Sequence, residues 1–85
     1  MIRVRLLGGA KRVVGKEYVN FDAKELTLRE LLSLLASISS DPNIFTNSSN
    51  IIVVINGIES SLLGGLDAVI NSNDQVSILT VVHGG

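Results

Sequence analysis

The 85-residue sequence lacks cysteine and tryptophan, and its only aromatic residues are Tyr18, Phe21 and Phe45. Without cysteine the chain has no disulfide bond, no thiolate metal ligand and no cysteine nucleophile. Three aromatic residues are too few to form a platform on which nucleic-acid bases could stack. The composition therefore excludes cysteine chemistry and argues against a protein that binds single-stranded nucleic acid.

Charged residues are also scarce, because seven Lys and Arg and eight Asp and Glu make up 18% of the chain and leave a net charge of −1. The basic residues are scattered without a basic run, which argues against direct nucleic-acid binding through phosphate neutralisation. No apolar run approaches the ~18–20 residues of a membrane span, and no signal-peptide segment follows Met1. We therefore expect a cytoplasmic protein that binds neither nucleic acid nor a membrane.

Histidine occurs once, as His83, and no nucleophilic side chain forms a recognisable set with a base. A lone histidine makes neither a metal site nor a catalytic triad. A chain this short buries a limited fraction of its surface, which argues against a deep active-site cleft between lobes. We expect one domain, residues 1–85, with no catalytic residue and no bound metal or cofactor.

Two segments near the N-terminus alternate between apolar and polar residues, at 2–6 and at 17–21. Strict alternation predicts strands with one buried face, and it turns Arg3 and Arg5 outward. Glycines at both ends of the connection predict a long, exposed loop with Lys11 at its tip. Together these features predict a hairpin. Its inward-facing residues are Ile2, Val4, Leu6, Val19 and Phe21.

A helix is predicted to begin at Thr27, because Thr27 and Glu30 have the spacing of a capping box. Pro42 and the polar residues before it end the helix, since proline cannot continue it. The segment that follows is predicted to be a loop, with Ile44 and Phe45 tucked under the sheet. The apolar helix stripe consists of Leu28, Leu31, Leu32, Leu35 and Ile38.

The second half of the chain begins with a β-branched run, Ile51–Ile55, which predicts a strand covered on much of both faces. Asn56 and Gly57 predict a tight turn into a short strand at 58–59. The segment 62–70 is predicted to be irregular, and the last strand covers 76–82.

The predicted order is therefore β-β-α-β-β-β, with one amphipathic helix and one sheet that must each bury a face. The simplest two-layer arrangement wraps a mixed sheet around the helix. The final strand then pairs in parallel with the first strand at the centre of the sheet. We predict an α+β fold of the β-grasp, ubiquitin-like type, with a flexible C-terminal Gly-Gly tail at 82–85.

Four segments, in order, resemble the ubiquitin-like sulfur carriers and modifiers, which include the MoaD/ThiS proteins, the ubiquitin-related modifier and the archaeal small modifiers. They are the first strand and loop at 4–15, the helix start at 26–32, the "V-x-V-N-G" strand and turn at 52–57, and the "L-D-x-x-L…G-D-x-V-x-I" segment at 66–79. The chain then ends in Gly84-Gly85, as this family does.

The departures from the family pattern distinguish its branches. Asn73-Asp74 replaces the usual Gly-Asp, and asparagine also tolerates the left-handed conformation. MoaD-like subunits usually carry a Pro-Pro pair before the tail, whereas this chain has Thr80-Val81-Val82. The resemblance therefore favours a modifier or general sulfur carrier over a molybdopterin synthase subunit, and the shorter ThiS-like carriers are the poorest match.

The resemblance implies that this protein is no enzyme and that the α-carboxylate of Gly85 is its reactive group. An E1-like adenylyltransferase would use ATP and Mg²⁺ to form the Gly85 acyl-adenylate. A sulfur donor would then give a thiocarboxylate, for a tRNA-thiolating enzyme or another acceptor, or a lysine of a target protein would give an isopeptide. Glycines at 84 and 85 can thread a narrow tunnel, and His83 and Gly84 are expected to be recognised there.

Two other functions stay open. The chain is alternatively the small subunit of molybdopterin synthase, with the large subunit supplying catalysis, or a β-grasp interaction module without covalent chemistry. If Val76, Ile78 and Thr80 face the core, Leu79 and Val81 point outward, either as a docking patch or as scattered surface residues. Acceptor sites for self-modification, or ordinary exposed lysines, are Lys11, Lys16 and Lys24.

Overall fold

The structure, a computed structural model, describes residues 1–80 apart from the side chain of Ser48. Within this range seven strands form two sheets, and three α-helices lie between strands along the chain. The strands are β1 (Ile2–Gly8), β2 (Tyr18–Phe21), β3 (Glu25–Thr27), β4 (Ile51–Ile55), β5 (Ile58–Glu59), β6 (Val69–Asn71) and β7 (Val76–Thr80). The helices are α1 (Gly9–Val14), α2 (Leu28–Ser37) and α3 (Asn43–Thr46).

The larger sheet has the strand order β2-β1-β7-β4-β5. Strand β7 is central, because it pairs in parallel with β1 and antiparallel with β4, so that Ile78 lies opposite both Leu6 and Val53. The sheet packs on α2, and the predicted α+β, β-grasp arrangement with the last strand beside the first is confirmed. No helix in residues 1–80 has the length and apolar character needed to cross a bilayer.

Helix α2 begins where the capping box predicts. The Thr27 hydroxyl accepts a hydrogen bond from the Glu30 backbone N–H at 3.1 Å, and the Glu30 carboxylate accepts one from the Thr27 N–H at 2.9 Å. These bonds satisfy two donors that a helix start otherwise leaves open. Full burial of a leucine contributes about 1.5–3 kcal/mol. The buried residues of this helix are Leu28, Leu31, Leu32 and Leu35.

The assignment of Ile38 to the buried stripe was wrong, since 49% of its surface is exposed. Helix α2 ends at Ser37, and Ile38 is its C-cap residue with φ −109° and ψ 7°. The periodicity of the stripe holds only inside the helix, so the next apolar position no longer points to the core. Phe45, in contrast, is buried as predicted, but its segment was wrongly predicted to be a loop, because Asn43–Thr46 form the single helical turn of α3.

The connection between β1 and β2 is not a loop, because its first six residues form α1. Ala10 and Val13 of this helix are buried in the core, whereas Lys11 is exposed as predicted. The helix ends at Gly15, whose φ is 84° and whose N–H donates to the Lys11 carbonyl oxygen. A helix of six residues shows too little periodicity to be distinguished from a loop in the sequence.

The segment 62–70, predicted to be irregular, overlaps two 3-10 helices, Ser60–Leu63 and Gly65–Asp67, and the start of β6. Strand β6 pairs with β3 in a two-stranded sheet, which places Leu26 opposite Ile70. Three-residue strands are too short for a period of two to be recognised, and their pairing depends on residues that lie far apart in the chain.

Two of the resembling segments meet at the start of β7. The side chain of Asn56 donates to the Asp74 carboxylate at 2.8 Å and accepts from the Gln75 N–H at 2.9 Å. The other carboxylate oxygen of Asp74 accepts from the Asn71 N–H at 2.7 Å. The turn after β4 therefore holds the turn before β7, and both determine where the central strand begins.

Candidate functional site

The candidate tail continues from the centre of the sheet. Thr80, the last residue of β7, lies opposite Gly8 of β1 and opposite Ile51 of β4. Because β1 and β4 hold Thr80 from both sides, the chain leaves the folded domain at a fixed position. The predicted tail at 82–85 lies outside the described residues, as does Val81 before it. The predicted site residues outside the described range are therefore Val81, His83, Gly84 and Gly85.

Gly8 permits the close approach of β1 to the end of β7. Its φ is 61°, and a Cβ atom at this position would lie 2.9 Å from the Thr80 carbonyl oxygen and 3.0 Å from Cδ1 of Leu79. A side chain here would displace the backbone from which the tail continues. Gly8 is one of the glycines that predict the connection after β1, but nothing local in the sequence indicates its contact with Thr80.

The side chain of Thr80 points into the core with Val76 and Ile78, as the sequence predicted. Thr80 is 3% exposed, and its hydroxyl has no hydrogen-bond partner among the described residues. Burial of a hydroxyl without a hydrogen-bond partner costs free energy.

The outer face of the sheet carries an apolar patch beside the end of β7. Leu79 is 37% exposed and lies in one cross-strand row between Leu7 and Ile52, which is 41% exposed. Val54 shares this face one row further from the tail. We call Leu7, Ile52, Val54 and Leu79 the apolar patch. Leu79 therefore points outward as predicted. The prediction that β4 is covered on much of both faces was wrong, because α2 packs on only one face of the sheet.

Basic residues are concentrated near the N-terminus. Five of the seven Lys and Arg lie between residues 3 and 16, a stretch without Asp or Glu that comprises most of β1, all of α1 and the two residues after it. On the outer face, the Arg3 guanidinium lies 4.1 Å from the Tyr18 ring centroid and that of Arg5 lies 6.0 Å from it. Glu17 pairs with Arg5 at 3.2 Å and with Lys11 at 3.5 Å.

The described residues contain no cluster of three or more His, Cys, Asp or Glu side chains that could hold a metal ion. Hydrogen bonds lower the pKa of Glu30, chiefly the one from the Thr27 backbone N–H and then the one from the Thr27 hydroxyl. This carboxylate caps α2, so its lowered pKa serves the fold rather than a reaction.

The model of the family Urm1 (Ubiquitin related modifier) matches residues 1–85. No curated protein matches the chain significantly. The solution structure of Urm1 from Trypanosoma brucei superimposes with a TM-score of 0.77 at 24% identity, over 99% of this chain and 94% of that chain.

Two further solved structures share the fold at lower identity. The small archaeal modifier protein 1 (SAMP1) from Methanosarcina acetivorans has a TM-score of 0.73 at 19% identity, over 99% of this chain and 95% of that chain. A chain of the Amycolatopsis orientalis BexX/CysO complex has a TM-score of 0.75 at 21% identity, with both chains fully covered. The full-length family match and this shared fold lead to one conclusion: the chain belongs to the ubiquitin related modifier family of ubiquitin-like sulfur carriers and modifiers.

Proposed function

We propose that the chain is a ubiquitin-like modifier and sulfur carrier that reacts through the α-carboxylate of Gly85. The observation that supports this most is the match of the whole chain to the ubiquitin related modifier family. The central position of β7 agrees with it, because residues 81–85 follow a strand that is held by a neighbour on each side. The one-domain organisation and the cytoplasmic location stay predictions.

The proposed reaction needs a partner enzyme. A carboxylate is a poor electrophile, and an E1-like adenylyltransferase with ATP and Mg²⁺ converts it into an acyl-adenylate with release of pyrophosphate. A sulfur donor then displaces AMP to give a thiocarboxylate, or a lysine amine of a target protein displaces AMP to give an isopeptide. The thiocarboxylate serves a tRNA-thiolating enzyme or another sulfur acceptor. In this scheme the carrier contributes the reacting group, and the partner contributes the catalytic groups.

The extended length of residues 81–85 supports separate roles for the folded body, which docks, and the tail, which reacts. Five extended residues, 81–85, span about 17 Å at ~3.4 Å each. The folded body therefore docks outside the enzyme while Gly85 reaches a recessed site, and glycines at 84 and 85 leave the tail narrow enough to enter it. His83 and Gly84 contact the entrance.

The apolar patch is the proposed docking surface for the activating enzyme. It includes Leu79 and lies on the outer face at the end of the sheet from which the tail continues. Contiguous exposed apolar residues are typical of protein interaction sites. Val81 would extend the patch toward the tail, since it is two residues beyond Leu79 in the strand direction.

An intact-mass experiment tests the proposal. The chain is incubated with the E1-like enzyme of the same organism, ATP, Mg²⁺ and a sulfur source, and an oxygen-to-sulfur mass shift is expected. A variant without Gly85 serves as the control and must stay unmodified. If the full chain gains no sulfur and the shortened variant keeps every cellular activity, the chain is a non-covalent β-grasp interaction module and the proposal is wrong.

A second measurement separates the modifier from the molybdopterin synthase alternative. Lysine residues of cellular proteins that carry the Gly-Gly remnant of this chain support a modifier. Loss of molybdenum cofactor after deletion of the gene, without such remnants, supports the small subunit of molybdopterin synthase and its large-subunit partner. The family match favours the modifier.

A further inference from the structure

The outer face of the sheet contains an open groove of about 370 Å³ that the docking patch does not include. It crosses β1 from Tyr18 on one side to Ser77 on the other, with Arg3 and Arg5 between them. Strands β1 and β7 run in parallel, and Arg3 and Leu7 are four residues apart on one face. At ~3.3 Å per residue, Arg3 therefore lies about 13 Å from Leu7 of the apolar patch, on the side away from the tail.

Because Arg5 is paired with Glu17, Arg3 is the arginine of this groove whose charge is open to a ligand. Its guanidinium lies over the Tyr18 ring, 4.1 Å from the centroid, and it forms no ion pair within residues 1–80. An arginine stacked on an aromatic ring loses little further freedom on binding, and the N–H groups at its edge suit a carboxylate.

One acidic residue, Asp74, lines the groove, and Glu17 lies next to it through its pair with Arg5; both are already engaged. Both carboxylate oxygens of Asp74 accept hydrogen bonds, from Asn56 and from the Asn71 backbone. Glu17 is shared between Arg5 and Lys11. Within the described part of the chain, Arg3 thus keeps a positive charge that no neighbouring carboxylate pairs directly.

We propose that this groove binds a carboxylate side chain of an acidic segment of the activating enzyme, with Arg3 as the residue that contacts it. The proposal rests on the proposed function, since it assigns a second contact to the same partner. An apolar residue of the enzyme on the patch and an acidic residue about 13 Å away would together fix how the body is oriented while the tail enters.

A protein segment fits this face better than RNA does. A phosphate backbone carries repeated charges, and the carboxylates of Asp74 and Glu17 flank the two arginines. A single carboxylate needs only the one unpaired guanidinium, and the apolar patch in the same face suits protein side chains. The complementary partner is therefore an acidic surface with a neighbouring apolar residue.

Adenylation kinetics test this assignment. ATP–pyrophosphate exchange by the activating enzyme is measured against the concentration of the wild-type chain, Arg3→Gln and Arg3→Glu, at 50 and 500 mM NaCl. The matched controls are Arg29→Gln and Arg29→Glu, since Arg29 is an exposed arginine on α2. Circular dichroism melting of each variant confirms that it is folded.

At the lower salt concentration, Arg3→Gln is expected to raise KM about tenfold with kcat unchanged, and Arg3→Glu to raise it further. The rise should shrink at the higher salt concentration, because a screened charge contact contributes less. The Arg29 variants should change KM less than about twofold. Equal effects of the Arg3 and Arg29 substitutions, or an effect of Arg3→Gln on kcat alone, would overturn the assignment.

Two other occupants of the groove, RNA and a second copy of the chain, would give different results. If bulk tRNA binds the wild-type chain in a gel shift and fails to bind Arg3→Gln, the groove takes RNA and the proposal is wrong. If sedimentation velocity shows a dimer that Arg3→Gln dissolves, a second copy of the chain occupies the groove instead. Absence of exchange with the wild-type chain contradicts the proposed function and this partner together, whereas normal exchange with no effect of Arg3→Gln contradicts the groove alone.

Discussion

Gly8 and Thr80 lie opposite each other in the parallel pair β1 and β7, so close together that position 8 cannot accommodate a side chain. Gly8 has a φ of 61°, and the position of a Cβ atom would be 2.9 Å from the Thr80 carbonyl oxygen. The last residue of β7 is therefore held by a contact that only glycine permits, and the position from which the chain continues depends on residue 8 as well as on β7 itself.

Gly8→Ala should lower the free energy of unfolding by about 3 kcal/mol, because it combines a strained backbone with a clash against Thr80. Gly15→Ala is the matched control, since Gly15 also has a positive φ, 84°, but a Cβ atom there meets nothing within 4 Å. We expect about 1 kcal/mol for the control. Urea unfolding measures both, and equal losses would show that the Thr80 contact is unimportant.

Leu79→Ser should raise the KM of the activating enzyme for the chain about tenfold, since it removes a central side chain of the apolar patch. Stability should change little, because Leu79 is partly exposed. Leu34→Ser is the control, as Leu34 is 39% exposed on α2, away from the sheet face. An unchanged KM for Leu79→Ser would place docking elsewhere.

Leu35→Ala should cost about 2–5 kcal/mol of unfolding free energy, because Leu35 is fully buried and the substitution leaves a cavity. Ile38→Ala should cost less than about 1 kcal/mol, since half of Ile38 is exposed beyond the end of α2. Chemical denaturation of the two variants compares them. Similar losses would mean that the buried stripe extends to Ile38 after all.

Acid should weaken the cap of α2. Because the pKa of Glu30 is lowered from 4.5 in the folded state, its contribution is fully present above pH 4.5 and is lost as the pH falls through the lowered value. Glu30→Gln should remove this part of the pH dependence of stability. Urea unfolding from pH 7 to pH 3 measures it, and identical slopes for the wild-type chain and the variant would contradict the role of this carboxylate.

Thr80→Val should raise the free energy of unfolding by about 1–2 kcal/mol, because it replaces a buried, unpartnered hydroxyl with a methyl group of similar size. Thermal and urea unfolding measure the change. A loss of stability would show that the hydroxyl has a partner beyond the described residues or in bound water.

Much of the fold follows from short-range patterns in the sequence. The alternation of Ile2, Val4 and Leu6 predicts the buried face of β1, because side chains of a strand alternate between its faces. The capping box of Thr27 and Glu30 predicts where α2 begins, since the groups that satisfy its first turn are three residues apart. Family resemblance added the candidate tail, of which Gly85 is the proposed reactive residue.

Long-range contacts decided the rest. The contact of Gly8 with Thr80 and the stacking of Arg3 on Tyr18 join residues of different strands, and nothing local in the sequence indicates either. The same is true of the pairing of β3 with β6 and of the patch formed by Leu7, Leu79 and Ile52. The sequence by itself determined the longer elements β1, α2 and β7 and the faces that they bury, because those depend on neighbours within a few residues. Only the tertiary structure determined which residues meet on the outer face, because strand order and register bring them together from distant parts of the chain.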